Sequence, residues 1–204
     1  MLLPAMKLVL LPAGNLRDDP GLRPQMHMFT GSRAPWYPIT DGLPQHEGYP
    51  PQFGGGAGLT RPQVPTIPGV THGSCLCGAV EWELAGKPER MQNCHCSRCR
   101  RARSAAHATN AFYLQEQMTW LRGEADVKHY ALPGAKYFGQ DFCGHCGSPV
   151  PRVNVATGRA VVPCGSLDTD PGARPLGNIF ATSKASWFEI TDGLPQWEAY
   201  PARA

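Results

Sequence analysis

Cys94-His-Cys96-Ser-Arg-Cys99 stands between two further cysteine pairs, Cys75-Leu-Cys77-Gly78 and Cys143-Gly-His-Cys146-Gly147. These clusters take seven of the eight cysteines, and all eight fall between positions 75 and 164. A C-x-x-C spacing lets two sulfurs point at one ion from a tight turn. Glycine after the first and third clusters suits such a turn, because it adopts positive φ without strain. That shared chemistry pairs Cys75, Cys77, Cys143 and Cys146 in one four-thiolate site. Four protein ligands close a tetrahedral zinc, and a closed site is structural. Cys94, Cys96 and Cys99 then form a second site with three protein ligands. Its fourth position is open to water or substrate, which is the pattern of a catalytic zinc. Three thiolates around a dication weaken it as a Lewis acid, and an exogenous thiol suits the open position.

Other readings of the same cysteines stand beside this one. A disulfide framework fits the count but not a reducing compartment. Cys164, or a histidine, can complete the second site and make both zincs structural. Cys164, in Val-Val-Pro-Cys-Gly, reads more simply as a small buried residue. His95 lies between two ligands and is expected to point away from the metal. His72, His107 and His145 are weak ligand candidates. Arg98, Arg100, Arg101 and Arg103 cluster beside the open site, either as a solvated face or as an anion-steering group. Arg98 and Arg100 are the candidate substrate contacts.

Outward from the cysteines, the 204-residue chain has 42% apolar and 17% charged residues, with 23 Gly and 21 Pro. That mix suits short strands and many turns, so the expected fold is mainly β with minor helix. Strands are expected at 79–84, 160–162 and 187–190, a hairpin-like stretch over 119–123 and 127–132, and a turn or two of helix within 96–106. A net charge of +3 is too small to argue for nucleic acid. The sequence contains no run of 18 apolar residues and no candidate membrane span. Met1–Ala13 is apolar apart from Lys7 but lacks a basic n-region and a cleavage site, so the expected compartment is the cytoplasm.

An internal repeat divides the chain. Ser32–Pro50, SRAPWYPITDGLPQHEGYP, matches Ser183–Pro201, SKASWFEITDGLPQWEAYP, at an offset of 151. From 12 to 50, 22 of 39 positions are identical. Residues 1–51 therefore read as a partial second copy of the C-terminal part of the later domain, without cysteines, and Ala13 stands where that domain has Cys164. The copy is either a truncated or decayed duplicate, or a segment that docks on the complete domain or on another chain; a homo-oligomer is compatible with the latter. Residues 52–69, Gly-rich and then Pro-rich, read as a linker. The complete domain occupies 70–204.

Gly73-Ser-Cys-Leu-Cys-Gly-Ala-Val80, Cys94-His-Cys-Ser-Arg-Cys-Arg100 and Phe142-Cys-Gly-His-Cys-Gly-Ser148 together resemble the glutathione-dependent formaldehyde-activating (GFA) family, which includes centromere protein V. The ending Ile190-Thr-Asp-Gly-Leu-Pro195 is similar to the family's usual close. The resemblance covers about 71–202. It implies a β-tent-like fold with two zinc ions, Cys75, Cys77, Cys143 and Cys146 on the structural one and Cys94, Cys96 and Cys99 on the catalytic one. It also implies a carbon–sulfur lyase or synthase activity that joins glutathione to formaldehyde or a related small aldehyde, or the reverse. The competing class is a non-catalytic, zinc-scaffolded binding module that uses the Arg98–Arg103 basic cluster.

Overall fold

A computed structural model of the protein describes residues 2–3, 8–56 and 64–201. In chain order the strands are β1 (Leu2–Leu3), β2 (Leu8–Val9), β3 (Val70–Ser74), β4 (Glu81–Ala85) and β5 (Arg90–Cys94). The helix α1 (Ser97–Arg103) follows. Then come β6 (Ala108–Leu114), β7 (Met118–Arg122), β8 (Val127–Ala131), β9 (Gly139–Cys143) and β10 (Pro149–Val150). The last are β11 (Arg152–Asn154), β12 (Arg159–Pro163), β13 (Asn178–Ile179) and β14 (Gln196–Trp197). The fold is mainly β, and α1 is the single α-helix among the described residues.

Beyond the small β1–β2 pair there are three sheets, ordered β3-β4-β7, β10-β9-β8 and β11-β12-β6-β5-β13-β14. Alternation along β4 buries Trp82 and Leu84 completely and leaves Glu81 and Glu83 outside, the period of a half-buried strand. Ala111 and Tyr113 of β6 and Ala160 and Val162 of β12 supply the facing layer. Gly73 stands opposite Trp82 in the β3–β4 register. A Cβ there would lie 2.4 Å from the indole ring, so this position needs glycine to let the ring lie flat on the strand.

The expected strands at 79–84 and 160–162 appear as β4 and β12. The stretches expected to form a hairpin do become β7 and β8, but they join different sheets. β7 pairs with β4, while β8 pairs with β9. Gly123, at φ +72°, packs so close to Ala79 that a Cβ would meet its carbonyl oxygen at 2.1 Å, and a 3-10 turn over Glu124–Asp126 redirects the chain. Trp187–Ile190, expected as a strand, is a turn followed by irregular chain. Phe188 N–H donates to the Ala185 carbonyl at 3.1 Å, and the Phe188 ring faces a cavity instead of a neighbouring strand.

Residues 12–50 repeat the local structure of 163–201. Single 3-10 turns lie at Ala13–Asn15 and Cys164–Ser166, and again at Thr30–Ser32 and Ala181–Ser183. Phe29 and Phe180 are both left-handed, at φ 60° and 56°. A parallel bridge joins His27 to Gln45, as β13 joins Asn178 to Gln196. The ion pairs Arg23–Asp19 and Arg174–Asp170 also correspond. The first copy does not add a strand to the six-stranded sheet. It contacts α1 through its first 3-10 turn and places Trp36, 6% exposed, in the hydrophobic core.

Candidate metal centres and the cavity beside them

β3 ends at Ser74, so Cys75 and Cys77 fall in the tight turn that leads back into β4. Gly78 in that turn has φ +73°. β9 ends on Cys143, and the following turn carries Cys146 and Gly147, with φ +74° at the glycine. The sulfurs of Cys75, Cys77, Cys143 and Cys146 lie within 4.8 Å of one another. Cys75 Sγ is 3.5 Å from Cys77 Sγ, which is 3.9 Å from Cys143 Sγ. A tetrahedral zinc with bonds of about 2.3 Å needs sulfur–sulfur edges of about 3.8 Å, so the cage fits that ion. Val80 N–H donates to Cys75 Sγ at 3.3 Å.

Cys94, Cys96 and Cys99 also gather within 4.8 Å. Cys94 is the last residue of β5, Cys96 caps α1, and Cys99 lies in its first turn. Cys96 Sγ accepts from the Cys99 backbone N–H at 3.4 Å. Hydrogen bonding from Cys94 and Cys99 pulls the Cys96 thiol far below its ordinary range. Cys94 is pushed up to about 11 by its bond with Cys96, and Cys99 is raised by both neighbours. Three sulfurs this crowded hold one negative charge easily and three only around a cation. Both clusters therefore have donor sets that can hold a metal ion, and thiolate donors suit zinc.

Cys94 and Cys99, but not Cys96, line a cavity of about 150 Å³. Its walls include Arg103, Asn110, Gln140, Asp141, Arg152 and Tyr200. Two side chains that line this cavity each carry a buried polar atom without a partner, Arg103 Nε and Asn110 Oδ1. One is a donor and the other an acceptor, and buried groups of this kind are ordinarily satisfied. Sequence reasoning placed Arg103 in the basic cluster but did not single it out, and it missed Asn110. The available signal was an amide residue, next to Thr109, in the otherwise largely apolar β6.

The other singled-out residues are placed as follows. Arg98 lines a separate apolar cleft with Arg101, Tyr130 and Phe142. Arg100 Nε donates to the His95 carbonyl at 3.2 Å. Neither lines the cavity beside Cys94 and Cys99. His95 is buried with Nε2 at 2.8 Å from Asn178 Oδ1. Asn178 Nδ2 donates to Asp192, so Oδ1 is the acceptor and His95 Nε2 the donor. His72 pairs with Asp168 at 3.0 Å and His145 with Asp126 at 3.1 Å. His107 packs on His95, Tyr37 and Phe188. Cys164 is fully buried, and burial pushes its thiol up.

Three sheets meeting around two sulfur clusters define a small β protein with two candidate metal centres. The family model described as "Glutathione-dependent formaldehyde-activating enzyme" matches residues 70–183, more than half of the chain, and the protein belongs to that family. A crystal structure of a Rhodobacter sphaeroides protein is similar at 26% identity and a TM-score of 0.40, covering 51% of this chain and 97% of the other. No curated protein matches. No helix among the described residues is long and apolar enough to cross a membrane.

Proposed function

We propose that the protein is a zinc-dependent carbon–sulfur lyase or synthase that joins a small thiol, glutathione or a relative, to formaldehyde or a related aldehyde, or runs the reverse. The observation that carries this reading is the cavity lined by two of the three clustered cysteines together with Arg103 and Asn110, whose Nε and Oδ1 are buried without partners. Membership of the family supports it. Cys75, Cys77, Cys143 and Cys146 hold the closed zinc, and Cys94, Cys96 and Cys99 the open one. Bound in the open centre, zinc would supply a thiol in its thiolate form at neutral pH, with the thiol proton passing to water. The chain's own groups do the rest. The Arg103 guanidinium donates to the aldehyde oxygen as charge develops on it, the role of an oxyanion donor. As the carbon–sulfur bond forms, the oxygen takes a proton from water, and Asn110 Oδ1 accepts from the new hydroxyl. In the reverse direction that proton returns to water and the carbon–sulfur bond breaks. Arg103 and Arg152 make the cavity attractive to an anionic thiol, and the 150 Å³ volume admits only the reacting end of a tripeptide. Arg98 and Arg100 remain proposed contacts for its outer carboxylates.

The experiment is substitution of cobalt for zinc, followed by titration with glutathione. The thiolate-to-cobalt absorption of the wild type should change on adding thiol, and the change should vanish in Cys96→Ser. Consumption of formaldehyde with glutathione is measured in parallel. A cobalt spectrum indifferent to thiols would mean that the second centre is closed, and would remove the basis for catalysis.

A further inference from the structure

The two copies of the repeated segment touch each other, and they do so reciprocally. Thr40 and its counterpart Thr191 meet hydroxyl to hydroxyl at 2.6 Å. Asp19 bonds the Ser186 hydroxyl, while Arg174, the counterpart of Arg23, donates to the carbonyl of Pro35, the counterpart of Ser186, at 3.4 Å. Contact of a residue with its own equivalent, flanked by the same two regions exchanged, is the signature of a two-fold, isologous interface. A cavity of about 380 Å³ lies on this seam and is walled by counterpart pairs, Tyr37 with Phe188, Thr40 with Thr191 and Asp41 with Asp192.

The two copies differ in what lies behind them. Trp36 is inserted in the core of the complete domain, whereas its counterpart Trp187 is only half-buried. A Cβ on Gly14 would meet the Ala105 backbone nitrogen at 2.2 Å, while nothing lies within 4 Å of one on Gly165. Asn15 Nδ2 also bonds Ser104 at 3.2 Å. Each contact that the first copy makes to the body of the domain is one that the second copy would make to the body of a two-fold mate, which this chain does not contain.

We propose that the complete domain carries a two-fold docking surface for a second copy of itself, and that the partial duplicate, over residues 12–50, fills this surface within the chain in place of the mate's tail. Trp36 occupies the socket that a mate's Trp187 would enter. The partner that fits the surface is thus another copy of the 70–204 domain, and the duplicated segment keeps it out. Gly14 is the point of closest approach to α1, and Trp36 is the anchor.

The test uses the zinc-loaded full chain, in sedimentation or light-scattering measurements across a concentration series. Wild type should have the mass of one chain, 22.1 kDa. The double variant Gly14→Val/Trp36→Ala, altered only outside the complete domain, should double in mass as concentration rises, and adding Trp187→Ala should return it to one chain. A double variant that keeps its zinc and stays at one chain throughout overturns the proposal, as does a dimer indifferent to Trp187→Ala. If the double variant aggregates, the decision passes to Thr40→Cys/Thr191→Cys in the otherwise intact chain. Mild oxidation of the zinc-loaded protein should then give a disulfide between positions 40 and 191 within one chain, identified by peptide mass spectrometry. A cross-link between chains, or none, overturns the reading.

Discussion

Cys77→Ser and Cys96→Ser each remove one sulfur from one cluster, yet their effects on stability should differ. Cys77 is exposed, so its replacement removes a ligand without opening the core. Cys96 is partly buried, and serine at that position still caps α1. Each variant should lose one zinc. The difference lies in the chain that each metal closes. Cys77 and Cys143 are 66 residues apart, and their cage ties the β3–β4 turn to the end of β9. Cys94, Cys96 and Cys99 lie within six residues, so their metal fixes one turn. Closing a 66-residue loop restricts the unfolded chain more than closing a five-residue one by about 2 kcal/mol, from the logarithmic dependence on length. Loss of the long-range centre should therefore cost about 2 kcal/mol more than loss of the local one. With a urea slope of about 2 kcal/mol/M, the midpoint of Cys77→Ser should fall about 1 M below that of Cys96→Ser. The assay is urea unfolding of the zinc-loaded proteins, with zinc per chain measured on the same samples. If Cys96→Ser unfolds as early as Cys77→Ser while each has lost one zinc, the division into a staple and an open centre is wrong.

Three further outcomes follow from single residues. Gly73→Ala should destabilise by about 2–3 kcal/mol in urea unfolding, because its Cβ would enter the fully buried Trp82 ring; a cost below about 0.5 kcal/mol would show that the indole can shift. Burial holds His107 near 4 against an ordinary 6.5, so the unfolded chain binds its proton first as pH falls. Its contribution is complete above pH 6.5 and declines from there to about 4, by about 2 kcal/mol at pH 5. His107→Phe should lose that much less stability than wild type between pH 7.5 and 5, and parallel pH profiles would refute the assignment. Arg103→Gln should lower kcat about 100-fold or more with zinc content unchanged, and an unaltered kcat would remove Arg103 from the cavity's chemistry.

The sequence told most where chemistry constrains spacing. Two C-x-x-C-like turns followed by glycine have few conformations available, so their approach to each other was legible. The strands at β4 and β12 were legible for a similar reason, since alternation of Trp82 and Leu84 with glutamates has one burial solution. The strand expected at Trp187–Ile190 had the right composition, but its Phe188 ring lines the cavity on the seam between the repeats instead of a sheet. β7 and β8 looked like one hairpin because nothing local records that Gly123 packs under Ala79 and parts them. Arg103 and Asn110 stand 7 residues apart in the sequence, on a helix and a strand, and only the turn between α1 and β6 brings both to the cavity. Pairings of that kind are tertiary, and a repeat offset of 151 likewise cannot say whether two copies meet face to face.

The two centres are joined through β9. Cys143, its last residue, belongs to the four-sulfur cage, while Gly139, Gln140 and Asp141, earlier on the same strand, form one wall of the cavity beside Cys94 and Cys99. The opposite wall comes from β5 and β6, strands of the six-stranded sheet, and from the helix α1 between them. Among the described residues β9 pairs only with β8 and β10, so no hydrogen-bonding ladder described holds the two walls together. The cage ties β9 to the β3–β4 turn, and the β3–β4 sheet packs through Trp82 and Leu84 into the core shared with β6 and β12. On the proposed reading, a closed centre in that cage would help to set the width of the cavity beside the other three sulfurs. A site on two separate sheets must be held within fractions of an ångström to be effective. With a metal bound, the four long-range cysteines would add a second link to the one the chain itself makes where β10 runs through Pro151 into β11 of the six-stranded sheet.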